Sequence, residues 1–180
     1  AGKRGSRHYV ANAKNFPADK CIGMVNLDTV GRLGKGKLLV LGASSAQEWV
    51  HIFRGAGFVT GVDTETVSQE LDSSDQKSFQ EKGVPAVQLF SGPHSDYHRT
   101  TDTSDKIDAE GLVKVASVAK EAVEYLAGRS EPLTGSGKAT AGAQTSTKKE
   151  RKVSLGTIPD FAYQGAGFRL SGVMPASPAE

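Results

Sequence analysis

The chain has 180 residues, with 22 Lys and Arg against 20 Asp and Glu, and 37% of its residues are hydrophobic. This length fits one domain of roughly 100–200 residues, and the hydrophobic fraction, although low, is above that of a disordered chain. The single cysteine, Cys21, excludes an internal disulfide framework and a cysteine-rich zinc finger. No apolar run approaches the roughly 18 residues that a membrane-spanning helix needs, so no membrane span is expected.

The first 128 residues alternate between helix-like and strand-like segments. Apolar spacing, Gly and Pro positions and caps predict helices over residues 6–14, 46–54 and 74–82. The same criteria predict strands over residues 21–27, 37–41, 58–62 and 84–90. Alternating elements with nearly continuous apolar strands predict an α/β domain whose sheet is covered by helices on both faces.

The clearest helix is predicted over residues 109–127. Asp108 is a suitable N-cap and Gly128 a suitable stop. A single apolar stripe runs along this helix at spacings of three and four residues, formed by Leu112, Val115, Ala119, Ala122 and Leu126.

Residues 129–152 are predicted to form a flexible basic linker. They carry six basic and two acidic side chains, net +4, whereas the rest of the chain sums to −2. Within them, residues 134–147 (TGSGKATAGAQTST) include no large apolar residue, and such a composition cannot offset the entropy of ordering. Because a nucleic-acid interface combines basic side chains with aromatic ones, and this tract has no aromatic residue, no nucleic-acid partner is expected.

Polar residues that could carry chemistry follow two of the predicted strands. Asp28 follows the first, and the loop 91–107 (SGPHSDYHRTTDTSDKI) follows the last. In open α/β sheets, functional groups lie beyond the carboxyl ends of strands, and long polar loops are often functional. The alternatives are a turn role for Asp28 and two exposed loop histidines. The spacing of His94 and His98 suits a metal pair only on a helix, which the surrounding residues disfavour.

Two of these segments resemble motifs of the co-catalytic di-zinc aminopeptidases, metallopeptidase family twenty-eight of the bacterial leucyl aminopeptidase type. They are residues 26–32 (NLDTVGR) and 92–103 (GPHSDYHRTTDT). Between them, a Ser-Asp pair at 74–75, Phe79 and a Gly-Val-Pro-Ala run at 83–86 match in order and spacing, so the resemblance covers about residues 1–127. It implies the C-terminal part of a three-layer zinc-exopeptidase-like sheet, with helices on both faces.

The resemblance assigns roles to three residues. Asp28 resembles the carboxylate ligand of one zinc, and His98 resembles the imidazole ligand of the other. Tyr97 resembles the tyrosine that hydrogen-bonds the tetrahedral intermediate in several relatives. Two zinc ions and peptide or protein substrates are therefore implied.

Four further polar residues receive no direct part in the chemistry. His94 has no ligand role in the family and is expected to be a loop residue. Asp75 and Asp102 are expected to fix the loops that present Asp28 and His98. Gln76 stands where many relatives have His.

The resemblance also implies zinc ligands and a base that this sequence does not contain. In the family a His, a bridging Asp and a Glu-Glu pair lie upstream, and the first Glu of the pair is the general base. The opening AGKRGSRHY resembles the stretch after that pair, except for Lys3. We therefore expect the C-terminal part of a catalytic domain, inactive alone, and, from the family, a secreted or periplasmic location.

Residues 153–180 resemble the start of a PDZ domain. The run Gly-Ala-Gly-Phe at 165–168 resembles the carboxylate-binding loop, and residues 173–179 resemble the segment that precedes a short helix. A PDZ-like β module would bind a C-terminal peptide. The alternative is a chance hairpin, because four-residue matches are weak. The sequence thus divides into a peptidase-like part (1–128), a linker (129–152) and a PDZ-like part (153–180).

Two other functions remain open. One is a non-catalytic, peptidase-like module that binds protein or peptide, since a fold alone does not determine function. The other is an acyl transferase of the glutaminyl cyclase type. The joint presence of Asp28, Tyr97 and His98 favours the peptidase over both.

Overall fold

A computed structural model describes residues 3–69, 72–135, 155–159, 167, 169–173 and 176–179. Its helices are α1 (Arg4–Asn12), α2 (Trp49–Thr60), α3 (Gln76–Gln80) and α4 (Ala109–Ala127). Its strands are β1 (Met24–Leu27), β2 (Leu38–Leu41), β3 (Thr64–Val67), β4 (Ala86–Phe90), β5 (Thr157–Pro159) and β6 (Leu170–Val173). Within these ranges no helix is long and apolar enough to cross a membrane.

Four strands form one open, mixed sheet in the order β1-β4-β2-β3. β1 and β4 are parallel, with Leu27 opposite Leu89, and β2 and β3 are parallel as well. β2 and β4 are antiparallel, with Leu39 opposite Phe90. The carboxyl ends of β1 and β4 therefore lie side by side at one edge of the sheet. The predicted α/β class is confirmed.

Helices cover both faces of this sheet. On one face, α2 and α4 pack on alternate residues of β2 and β4, and Trp49 and Phe53 of α2 are fully buried there. On the other face, Phe79 of α3 packs on Ala86, with Val10 of α1 beside them. Burial of each large apolar side chain contributes about 1.5–3 kcal/mol to folding, so these two layers hold the sheet in place.

The strand predicted over residues 58–62 is wrong. Helix α2 continues to Thr60, and β3 begins only at Thr64. Gly61 ends the helix with a left-handed φ of 68°, and its N–H donates to the carbonyl of Gly57. Phe58 is 90% exposed. Short apolar runs do not distinguish a helix turn from a strand by periodicity, which explains the error.

The last helix has the predicted bounds, 109–127, and Asp108 caps it by accepting a hydrogen bond from the Gly111 N–H. Its buried face differs from the predicted stripe, because it includes Gly111 and Val118 and leaves out Leu112. Leu112 is 38% exposed, whereas Val118 is fully buried. A helix that packs on a sheet buries a stripe wider than one position per turn, so Val118 joins its neighbour Ala119 in the core.

Residues 129–135, at the start of the predicted linker, lie against the sheet domain. Leu133 is buried, and the backbone N–H and the hydroxyl of Thr134 donate to Glu48 Oε1 at 2.7 and 2.8 Å. Gly135 forms an antiparallel bridge with Ala46. The packed unit therefore continues to residue 135, and residues 136–152 of the predicted linker lie outside the described residues.

The C-terminal segment contains an antiparallel strand pair. Thr157 of β5 lies opposite Val173 of β6, and the Ala179 N–H donates to the carbonyl of Leu155 at 3.1 Å. Of the predicted carboxylate-binding loop, residues 165, 166 and 168 lie outside the described residues. The PDZ-like module therefore remains a prediction.

Candidate metal centre

Asp28 lies directly after β1, at the edge of the sheet where β4 also ends. Its N–H donates to the carbonyl of Leu89, the partner of Leu27 across the strand pair, at 3.3 Å. One residue further on, the Ser91 N–H donates to the carbonyl of Thr29 at 3.0 Å. The loops that follow β1 and β4 therefore leave the sheet side by side. The sequence predicted each polar segment at the end of a strand, and the pairing of β1 with β4 brings the two segments together.

Ser74, from the segment before α3, holds the carboxylate of Asp28. The Ser74 hydroxyl donates to Asp28 Oδ2, and the Thr29 hydroxyl lies 3.2 Å from Asp28 Oδ1. Asp75, for which a loop-fixing role was expected, lies at the N-cap position of α3 and makes no side-chain capping bond. The residue that bonds the Asp28 carboxylate is its neighbour Ser74. Both carboxylate oxygens of Asp28 therefore have a hydroxyl partner.

Three amide side chains lie behind this carboxylate. Asn26 Nδ2 donates to Ser74 Oγ at 2.8 Å and to Gln76 Oε1 at 3.1 Å. Gln76 Nε2 donates to Gln88 Oε1 at 3.1 Å, and Gln88 Nε2 donates back to the Asp28 carbonyl at 3.4 Å. Gln76 and Gln88 are buried, and a satisfied buried network fixes the orientation of its members. The network closes a ring from the side chain of Asp28 to its backbone.

Tyr97 and His98 lie on the loop after β4. Their rings stack with centroids 3.8 Å apart and an interplanar angle of 19°. The His94 ring lies edge-on to the Tyr97 ring, with centroids 6.3 Å apart. Residues 95–98 form turns and not a helix, so the helical spacing that a His94–His98 metal pair requires is not present. His94 Nδ1 is buried without a hydrogen-bond partner among the described residues.

The hydroxyl of Tyr97 stays protonated at neutral pH. Burial raises the pKa of Tyr97, and the negative charge of Asp28 raises it further. The influence of that charge places Tyr97 within electrostatic reach of the carboxylate. A protonated phenol is a hydrogen-bond donor, so the edge of the sheet presents a donor next to a carboxylate and an imidazole.

Backbone strain concentrates at the same place. Among the described residues, the non-glycine positions with a left-handed φ are Thr29 (56°), Ser74 (63°), His98 (58°) and Ala176 (57°). The first three are the residue after Asp28, the hydroxyl donor to Asp28 and the predicted imidazole ligand. Such conformations cost energy and persist where the surrounding structure holds them, often at functional sites.

A comparison with protein-family models matches residues 1–123 to Peptidase family M28. The chain belongs to this peptidase family. No curated protein matches the chain significantly.

Solved structures of related proteins include an aminopeptidase from Aneurinibacillus sp. strain AM-1, 29% identical with a TM-score of 0.54. The match covers 73% of this chain and 30% of that one. The zinc aminopeptidase BSAP from Bacillus subtilis is 24% identical with a TM-score of 0.58, and the match covers 69% of this chain and 32% of that one. The chain thus spans about a third of the length of these relatives.

The fold is shared beyond the aminopeptidases. A glutaminyl cyclase from an Acidobacteriales bacterium is 22% identical, with a TM-score of 0.54 over 68% of this chain and 45% of that one. Identity at this level shows the fold alone.

The donor types at this edge are ones that zinc accepts. Zinc binds carboxylate oxygen and imidazole nitrogen readily, and Asp28 and His98 offer one of each. Within the described ranges, however, no group of three or more His, Cys, Asp or Glu could hold a metal ion. The described residues therefore do not by themselves complete a zinc site.

The sequence does not predict several contacts of this candidate site. Ser74 and Gln76 lie in a segment that resembles the family without indicating their partners, and nothing in the sequence indicates that Arg32 lies 2.6 Å from Asp102. Gln88 offers a usable signal, because a polar amide inside the otherwise apolar, buried strand β4 predicts a hydrogen-bonded network.

Proposed function

We propose that this chain contributes part of the catalytic domain of a zinc aminopeptidase, in which Asp28 and His98 each bind one of two zinc ions. The observation that carries the proposal is the meeting of three residues at one edge of the sheet. Asp28 follows β1, and the stacked pair Tyr97–His98 follows the adjacent parallel strand β4. Membership of the M28 family supports the same chemistry.

Each residue has a distinct task in this proposal. Zinc, when bound, supplies a Lewis acid and an activated water. Asp28 offers its carboxylate in an orientation held by the Ser74 and Thr29 hydroxyls. Tyr97, protonated at neutral pH, donates a hydrogen bond to the oxyanion that forms when the first peptide bond of a substrate is attacked.

In this proposal the remaining zinc ligands and the general base come from residues other than the described ones. The reason is chemical, because a zinc site takes at least three protein ligands and the described residues hold no group of that size. The 180-residue chain alone is then expected to lack peptidase activity. A secreted or periplasmic location rests on the family resemblance alone.

The test uses the full-length protein that contains this sequence and an amino-acid p-nitroanilide as substrate. Asp28→Asn and His98→Ala should each reduce bound zinc by one equivalent and lower kcat/KM by at least about 100-fold. His51→Ala is the matched control, because His51 lies exposed on α2 and contacts Arg54. Wild-type zinc content and rate in both site variants would contradict the proposal.

The same protein should be assayed with a peptide that begins with glutamine. Cyclisation of that residue without hydrolysis of anilides would favour a function like that of the related glutaminyl cyclase. If the purified protein contains no zinc and binds peptides without hydrolysing them, the result would favour the non-catalytic, peptide-binding module.

We also propose that residues 153–180 begin a PDZ-like module that binds a C-terminal peptide. The antiparallel pair β5–β6 supports a β-rich segment there.

A further inference from the structure

Arg32 connects the loop that carries Asp28 to the loop that carries Tyr97 and His98. Its Nη2 donates to Asp102 Oδ1 at 2.6 Å, and its Nη1 lies 3.6 Å from Asp96 Oδ2. One carboxylate precedes the Tyr97–His98 pair and the other follows it. We call Arg32, Asp96 and Asp102 the Arg32 clamp.

Two of the three side chains of the Arg32 clamp are largely shielded from solvent, whereas Asp102 is 42% exposed. The side chain of Arg32 is 20% exposed and that of Asp96 is 17% exposed. The second oxygen of Asp96 accepts a hydrogen bond from Lys106 Nζ at 2.7 Å. Asp96 therefore bridges the cationic groups of Arg32 and Lys106. A planar guanidinium that meets two carboxylates fixes direction as well as distance.

The backbone beside Arg32 reinforces this connection. The Arg32 N–H donates to Ser91 Oγ at 3.2 Å, and the Ser91 hydroxyl donates to the Thr29 carbonyl at 2.7 Å. At the far end of the same loop, the Asp108 N–H donates to the Gly31 carbonyl at 2.9 Å. The loop 91–107 is therefore joined to residues 29–32 at its start, at its middle and at its end.

We propose that Arg32 is a positioning residue, which holds the loop 91–107 so that Tyr97 and His98 face Asp28. This inference rests on the proposed function, because it gives the clamp the task of setting the geometry between two zinc ligands. In this proposal Arg32 acts through the loop that it holds and is not itself a zinc ligand. Residues that support a metal ligand typically contribute about 10–100-fold to metal affinity.

The first measurement is amide hydrogen exchange on the full-length protein with and without zinc. Arg32→Met should speed exchange of amides 94–103, because the two carboxylates lose their common partner. Arg32→Lys should give intermediate exchange, since one ammonium group keeps the charge but cannot span both carboxylates as a guanidinium does. Arg54→Met is the matched control, because Arg54 lies on α2 and pairs with His51.

The second measurement is zinc affinity by calorimetric titration, at a temperature where all variants are folded. Arg32→Met should weaken zinc binding by about 10–100-fold, and Arg32→Lys should restore part of it. Faster exchange with unchanged zinc affinity would reduce Arg32 to a structural role and overturn the inference. If Arg32→Met leaves exchange at residues 94–103 unchanged, the clamp is overturned and the proposed function is not. If the wild-type protein binds no zinc, the proposed function and the positioning role are both overturned.

Discussion

At the scale of single residues, the candidate site combines the hydrogen-bonded carboxylate of Asp28 with the phenol of Tyr97, which stays protonated at neutral pH. Asp28 has a hydroxyl partner on each oxygen, and its charge helps to keep the nearby Tyr97 phenol protonated. The protonated phenol can in turn stabilise negative charge that develops beside it. His98 stacks on the Tyr97 ring, so the imidazole and the phenol keep a common orientation.

Replacing Tyr97 by Phe tests this donor role. The stacking surface is retained while the hydroxyl is lost, so zinc content and KM should stay close to wild type. We expect kcat to fall by about 10²–10³, the usual effect of removing one oxyanion donor. Steady-state kinetics on the full-length protein provide the measurement, with Tyr125→Phe on the exposed face of α4 as control. A kcat within twofold of wild type would exclude the role.

At the scale of elements, the N-terminal end of α4 is bonded to the turn that follows the Asp28 loop. Its N-cap residue Asp108 accepts hydrogen bonds from the Gly111 N–H at 3.0 Å and from the Gly34 N–H at 2.7 Å. One carboxylate therefore caps the helix and also fixes the turn that follows the Asp28 loop. These two amides lower the pKa of Asp108 below its ordinary value of 3.8.

This contact predicts a pH-dependent contribution to stability. Because the folded-state pKa of Asp108 is lowered, its contribution is fully present above the unfolded-state value near 3.8 and is lost as the pH falls through the folded-state value. Asp108→Ala should lower the midpoint of thermal unfolding at pH 7, and the difference from wild type should shrink at pH 3. Glu110→Ala, in the same helix turn but not the cap residue, is the control. An equal difference at both pH values would contradict the assignment.

At the scale of the whole molecule, the segment after α4 completes the sheet domain. Residues 129–135 return across the start of α2, where Arg129 Nη2 lies 3.7 Å from Glu48 Oε1 and Thr134 bonds the same oxygen. Leu133 joins the main core cluster, which also holds Trp49. A stretch that its composition marks as linker therefore contributes to the core.

Leu133→Ala measures that contribution. Removing a buried leucine side chain should lower the free energy of unfolding by about 2–5 kcal/mol. Val113→Ala, at an α4 position that is 66% exposed, should change it by less than about 0.5 kcal/mol. Urea unfolding followed by the fluorescence of Trp49 reports both values. Equal effects of the two variants would show that the segment does not pack in solution.

The sequence predicted elements better than it predicted contacts. Helix α4 has its predicted bounds because a strong apolar stripe, an N-cap and a stop agree locally. The antiparallel pairing of β2 with β4 could not be predicted, since strand direction depends on tertiary topology and the spacing of apolar residues is the same in both directions. The segment 129–135 was assigned to the linker because Leu133 is one apolar residue among polar ones.

The site shows the same limit. The family motifs drew attention to Asp28, Tyr97 and His98, and the pairing of β1 with β4 brings their loops together. The bonds of Ser74 and Arg32 span 46 and 70 residues of sequence. Contacts of such separation leave no local pattern, so the partner that holds each loop becomes visible only in three dimensions.

Because β2 pairs antiparallel to β4, the sheet has loops at two opposite rims, and one rim can be altered without changing the other. β2 and β3 direct their carboxyl ends away from Asp28, so the turn after β2 lies at the opposite rim. There the Ser45 hydroxyl accepts from the Trp49 indole and donates to the Ala86 carbonyl, each at 2.9 Å. The neighbouring Ser44 is exposed. An affinity tag, a fluorophore or an inserted peptide at Ser44 would thus sit a full strand length from the chemistry, which makes this rim the natural attachment point for engineering the domain.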